Sequence, residues 1–190
     1  MNKNYINYSD LPEEIQFEDE FKDIFYKMEH SKENMFVTGK AGSGKTTLLE
    51  YFRINSSKNF IILASTGISA IKAKGKTIHS FFLFPPRILI NEKIQKLRGK
   101  VINNVETILI DECSMIRSDV LDGIDQSLKF NRNNEKPFGG VQIILLGDIH
   151  QLPPVVRENE QDIFDNFYPY GHYFFHANCF YLVRVGRGHF

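Results

Sequence analysis

Apolar residues along this chain recur in two rhythms. At Phe17, Phe21, Ile24, Phe25 and Met28 they fall three and four apart, the spacing that gathers side chains on one side of an α-helix. A helix is therefore expected over roughly 17–30. Short runs that are apolar at nearly every position then take over: NMFVTG, NFIILAS, TILIDE, VQIILLGD and, less regularly, HYFFH with FYLV. A strand apolar on both sides suits a parallel sheet covered on both faces. Between the runs the helical rhythm returns, at Leu48, Leu49 and Phe52 and again at Val120, Leu121, Ile124 and Leu128. Ser118 is the expected N-cap of the latter helix. NRNNEKPFGG, polar with Gly and Pro, reads as a loop. Strands and helices thus alternate, the order of an α/β, doubly wound fold.

Composition changes this picture little. A chain of 190 residues has the size of one domain, and 42% hydrophobic with 24% charged residues is globular rather than disordered. No run nears the roughly 18 apolar residues of a membrane span, so no membrane partner is expected. MNKNYINYSDLPEEIQ lacks the apolar centre of a signal peptide. Cys113 and Cys179 form neither a disulfide framework nor a metal-ligand spacing. The expected setting is the cytoplasm, at the nucleoid if the source is a prokaryote.

Charge changes it more. The totals balance, 23 basic against 23 acidic, which taken whole argues against a nucleic-acid ligand. The distribution argues the other way. Arg53, Lys58, Lys72, Lys74, Lys76, Arg87, Lys93, Lys96, Arg98 and Lys100 crowd one stretch of fifty residues, opposed there by Glu92 alone. A solvated lysine-rich surface would explain the same pattern, so charge leaves both readings open.

Three strings at strand ends carry chemistry. GKAGSGKTT fits G-x-x-x-x-G-K-[ST], with Gly39, Gly44, Lys45 and Thr46 at the fixed positions and Ala41, Gly42, Ser43 and Thr47 completing the loop. It follows an apolar run and precedes a helical pattern, the context of a phosphate-binding loop. Glycines turn backbone N–H groups toward phosphate oxygens, Lys45 neutralises the β- and γ-phosphates of ATP, and the Thr46 hydroxyl is a magnesium ligand. In TILIDECSM, Asp111 and Glu112 are neighbouring carboxylates in an apolar setting, and they resist ionising unless a cation joins them. Beside a phosphate loop that cation is Mg2+, held by Asp111 either directly or through an intervening ligand, with Glu112 free to polarise the attacking water. GDIHQLPPV follows the third run and sets Gln151 where it reaches the γ-phosphate or that water. Open α/β sheets bind ligands beyond the carboxyl ends of their strands, so the three strings should line one site.

In order, GKAGSGKTT, ASTGISA, GKTIHSFF, DECSM and KPFGGVQIILLGDIHQLPPV resemble the first RecA-like motor domain of Pif-type DNA helicases. These are superfamily-one relatives of RecD that move 5′ to 3′. The resemblance covers about residues 35–183, leaving 1–34 as a helical lead-in and 184–190 as a terminus before an absent second RecA-like domain. It implies a P-loop NTPase fold with a parallel sheet flanked by helices on both faces. It implies that Lys45 and Thr46 bind nucleotide and magnesium, Asp111 holds the metal and Glu112 activates water. Gln151 becomes the γ-phosphate sensor. Single-stranded DNA contacts are implied at Thr66, Gly67, His79 and Ser80, and the basic stretch that contains them adds Lys76, Thr77, Phe81 and Phe82, at least one of these rings being expected in the core. Relatives carry an adenine-reading glutamine ahead of the P-loop, a place where only Gln16 stands. Arg187 matches an arginine that reaches the γ-phosphate, but Gly188 replaces the glutamine that follows it.

His172 and His176 have the spacing of a helical zinc pair, yet the residues between them read as strand, so no metal is expected there. Two rival classes remain. A nucleotide kinase is disfavoured, since nothing resembles a lid. A non-catalytic single-strand binding module would need neither Glu112 nor Gln151.

Overall fold

The computed structural model describes residues 19–97 and 99–180 together with the backbone of 183–187. Its helices are α1 (Asp19–His30), α2 (Lys45–Asn55), α3 (Gly67–Lys72), α4 (Ile78–Phe82), α5 (Val101–Asn104), α6 (Ser118–Arg132) and α7 (Gln161–Phe167). Its strands are β1 (Asn34–Thr38), β2 (Phe60–Ala64), β3 (Lys76–Thr77), β4 (Thr107–Asp111), β5 (Gln142–Gly147) and β6 (Val183–Arg187). They form one sheet in the order β3-β2-β4-β5-β1-β6, and every pairing is parallel. All carboxyl ends therefore emerge on one edge.

The near-continuous apolar runs have the expected cause. Along β5, Ile143 and Leu145 face one core, with Phe36, Ile108, Ile110 and α6. Ile144 and Leu146 face the other, with Met35, Val37, Leu109, α1 and α2. The inner strands β1, β4 and β5 alternate their side chains between two packed layers and leave almost nothing to water, whereas Lys76 on the edge strand β3 is exposed. The parallel sheet with helices on both faces is the expected fold.

Lys58 belongs to the opposite edge. It is half-buried, donating from Nζ to the carbonyls of Met28 (2.7 Å) and Ser31 (2.8 Å) and to Gln142 Oε1 (2.8 Å). Burial pulls its pKa below the ordinary lysine value, against the neighbouring carboxylates of Glu29 and Glu106. It joins the end of α1 to the start of β5 and takes no part in the basic surface near the strand exits.

Two local expectations are corrected. Ser118 is the first residue of α6, and Arg117 caps it through extended backbone without a side-chain bond. The Ser118 hydroxyl donates outward instead, to the carbonyls of Tyr173 (2.7 Å) and Gly171 (3.2 Å). That anchorage turns the chain, so the HYFFH run is not a strand. Phe174–His176 is a 3-10 turn that drives Phe174 into the core, edge-on to Phe36 at 5.1 Å. Of the expected pair of final runs, the strand begins at Val183.

α6 is unusual in its buried acids. Asp122 accepts from Tyr168 Oη, Cys179 N and both nitrogens of Asn178 at 2.8–3.0 Å, and Asp125 accepts from Phe138 N at 2.7 Å. These buried carboxylates act as anchor points that fix the return loops on the helix.

Candidate functional site

At the carboxyl edge, β1 and β5 finish in register, Thr38 beside Gly147. The Gly39 N–H donates across to the Gly147 carbonyl at 3.4 Å. The chain then coils through Gly42 and Gly44 at φ of 80° and 85°. A Cβ at either would meet nothing within 4 Å, so conformation rather than crowding selects glycine. Gly44 starts α2 without a side-chain cap, which leaves the first amides of the helix directed at the loop. Lys45 Nζ curls over that loop and donates to the carbonyls of Gly39 (2.6 Å) and Lys40 (2.8 Å). Ala41 and Thr46 are exposed, and Ser43 and Thr47 half-exposed, around the same turn.

β4 delivers the two carboxylates. Burial raises the Asp111 pKa, opposed by the Glu112 N–H on its Oδ1 (3.0 Å) and by the Lys45 charge. Burial also raises Glu112; Asp111 and Asp148 add to the rise, while Lys45 and Lys72 oppose it. The ammonium of the P-loop, both carboxylates, Asp148 from β5 and Lys72 from α3 thus share one electrostatic neighbourhood. Glu112 itself stands at φ 53° and ψ 47°, the left-handed region. Its carbonyl accepts from Ser65 Oγ at 3.0 Å. Gly147 is where the Glu112 turn leans on β5: a Cβ there would lie 2.6 Å from Cys113 Sγ.

Gln151 sits one turn past β5. Asp148 makes that turn, its carbonyl accepting from Gln151 N and its Oδ1 from His150 N, both at 3.0 Å. The P-loop, the Asp111–Glu112 pair and Gln151 therefore meet at a single edge.

Beside them lies the nucleic-acid half of the expectation. Thr66 caps α3, accepting from Ser69 N at 3.1 Å and donating to Ser69 Oγ at 2.9 Å. Gly67 follows it with open space around its Cα. A cavity of about 310 Å³ opens between this strand end and the Glu112 turn, lined among others by Ser65, His79, Arg87, Met115, Arg117 and Arg157. Burial depresses the His79 pKa and Arg117 adds to the depression, against Asp119; His79 is therefore a neutral hydrogen-bonding ring at neutral pH. Ser80 and Lys76 are exposed. Phe82 is core, and Phe81 packs edge-on against it at 4.9 Å, half-buried. Arg117, not singled out in the sequence, lines this cavity, forks onto Asp119 (2.7 Å) and donates to the Arg87 carbonyl (3.0 Å), a partner 30 residues away that no local pattern reveals.

Gln16 lies outside the described residues, as does the side chain of Arg187, whose backbone pairs with Thr38 at the same edge. His172 Nε2 faces Asp165 at 3.1 Å. Among the described residues no group of three His, Cys, Asp or Glu could hold a metal by itself, and no helix is long and apolar enough to cross a membrane.

The profile of PIF1-like helicases matches residues 16–185. The ATP-dependent DNA helicase Pif1 of Psychrobacter is 39% identical over 138 residues, 68% of this chain but 21% of its own length. A crystal structure of a Bacteroides Pif1 helicase in complex with ADP-AlF3 and ssDNA superposes with a TM-score of 0.82 at 40% identity, over 90% of this chain and 41% of that one. The Pif1 helicase of Candida albicans gives 0.69 at 26% identity, over 93% and 41%. The chain thus spans about a fifth of the curated relative's length and under half of the solved ones.

Proposed function

Since the chain belongs to the PIF1-like helicase family, we propose that it is the first RecA-like motor domain of an ATP-dependent, 5′-to-3′ DNA helicase. In this reading it binds ATP with magnesium and grips single-stranded DNA, and a second motor domain completes the machine. The observation that carries the reading is the shared neighbourhood of Lys45, Asp111, Glu112 and Asp148 at the edge where the P-loop and Gln151 also emerge.

The residues have separable tasks. The amides of Gly42 to Thr47 and the Lys45 ammonium neutralise the phosphates, exchanging the loop carbonyls for phosphate oxygens. Thr46 and Asp111 are oxygen donors of the kind magnesium prefers, and a bound ion offsets the burial that raises both carboxyls. A magnesium ion held by these residues would supply charge neutralisation to the phosphates. Glu112 accepts a proton from water, a role its raised pKa suits. Gln151, amide and carbonyl in one side chain, senses the γ-phosphate from the β5 exit. Thr66, Gly67, Lys76, His79, Ser80 and Phe81 meet the strand, with the cavity beside them edged by arginines. Gln16 and Arg187 are proposed for adenine and γ-phosphate.

Calorimetry with ADP, with and without magnesium, tests the nucleotide half. Lys45→Ala removes a point charge facing phosphates, and its affinity should fall by about tenfold or more, a charge-assisted hydrogen bond being worth about 1.5–3 kcal/mol. Equal affinities for the two chains would sink the assignment.

A further inference from the structure

Ser65 and Thr66 are consecutive, yet their hydroxyls serve different sites. Ser65 Oγ, at the exit of β2, donates to the Glu112 carbonyl. Thr66 Oγ1 caps α3, whose start faces open space at Gly67. A single peptide unit therefore lies between the group that holds the Glu112 turn and the group that begins the exposed helix. Only ψ of Ser65 and φ of Thr66 turn between the two Cα atoms, so little chain is available to absorb a rotation at Thr66 before it reaches Ser65.

The receiving end is poised to respond. Glu112 is left-handed at φ 53°, a conformation that a non-glycine residue keeps only where its surroundings hold it. On its far flank the turn packs closely, with Cys113 against Gly147. The Ser65 bond acts on the other flank, at Glu112 itself. The cost of a left-handed residue and the worth of one hydrogen bond are similar in size, so a single bond of this kind is enough to tip the Glu112 backbone.

We propose that Ser65 is a positioning residue that couples occupancy of the single-strand site at α3 to the setting of Glu112. This rests on the function proposed above. It gives the strand a direct route to the hydrolytic carboxylate, through β2 and across to the end of β4, its neighbour in the sheet.

The test needs no turnover. An oligo-dT is titrated into the isotope-labelled 190-residue chain with magnesium and ADP present, and the Glu112 and Cys113 amide resonances are followed. Both should move. In Ser65→Ala the oligonucleotide affinity, read by anisotropy, should stay within about twofold, while the two displacements shrink by about fivefold or more. Ser65→Thr keeps the hydroxyl and should restore them. Should Ser65→Ala fail to fold, Ser65→Cys, with its weak donor, takes its place. Undiminished displacements in the substituted chain, or none in the unsubstituted chain with oligonucleotide bound, overturn the coupling alone. Absence of any oligonucleotide binding overturns the proposed function and the coupling with it.

Discussion

Glu29 shows how much one side chain can organise from outside any motif. Its carboxylate accepts from Ser56 Oγ (2.7 Å), Ser57 N (2.9 Å) and Ser57 Oγ (2.6 Å), tying α1 to the loop after α2. Burial alone would raise its pKa; the serine bonds and Lys58 outweigh that and hold it below the ordinary 4.5. A depressed carboxyl contributes stability that is present above its unfolded value and lost as the pH falls through the folded one. Glu29→Gln should therefore lower the melting midpoint at neutral pH by a few degrees, for about 1 kcal/mol after solvent screening. Thermal melts across a pH series should show the gap closing below that value; a gap independent of pH would assign the effect to packing. Neither Glu29 nor Ser65 was legible in the sequence, because their partners lie 27 and 47 residues away. Lys45, Asp111, Glu112 and Gln151 were, because each has a fixed offset from an apolar run, and a run's end is a place in space as well as in the sequence.

At the scale of elements, α3 and β3 carry the charge argument. Lys72 ends α3, Lys76 opens β3 and Lys74 stands between them in a left-handed turn. Lys74 already faces Glu50 at 3.7 Å, so the other two should supply most of any strand contact. Single-strand affinity should fall steeply with salt, and replacing all three by alanine should flatten the log–log slope by about 1.4, two phosphate contacts' worth. Fluorescence titrations over a salt series give that slope; an unchanged value would return the lysines to a solvated surface. The buried strands were readable because a parallel sheet leaves its own continuous apolar signature. HYFFH misled for a related reason. Aromatic density reports burial, and burial here is reached through a 3-10 turn whose direction is set by Ser118, more than fifty residues earlier.

For the molecule as a whole, the proposed function makes the carboxyl edge one half of a cleft. In this motor class arginines from a second domain complete the transition-state charge, a contribution of about 10³ to 10⁵ in rate. The 190-residue chain should therefore bind nucleotide yet fail to separate duplex DNA in a fluorescent unwinding assay; robust unwinding by the purified monomer would overturn this. Joined to a relative's second RecA-like domain it should regain DNA-stimulated hydrolysis, which Glu112→Gln should cut by about 10²-fold or more. The α/β class was legible from alternation, but the strand order was not, since no local pattern tells β1 that its neighbours are β5 and β6, both made long after it. That order shapes the chain's birth. β1 pairs with β5 on one side and β6 on the other, so the segment bearing the P-loop leaves the ribosome long before either neighbour exists. At about 5–20 residues per second, β1 waits roughly 5 to 22 s for β5, and longer for β6. Through that interval Met35, Phe36 and Val37 have no sheet to enter, and a nascent chain of this topology is a natural client for chaperones that shield apolar strands.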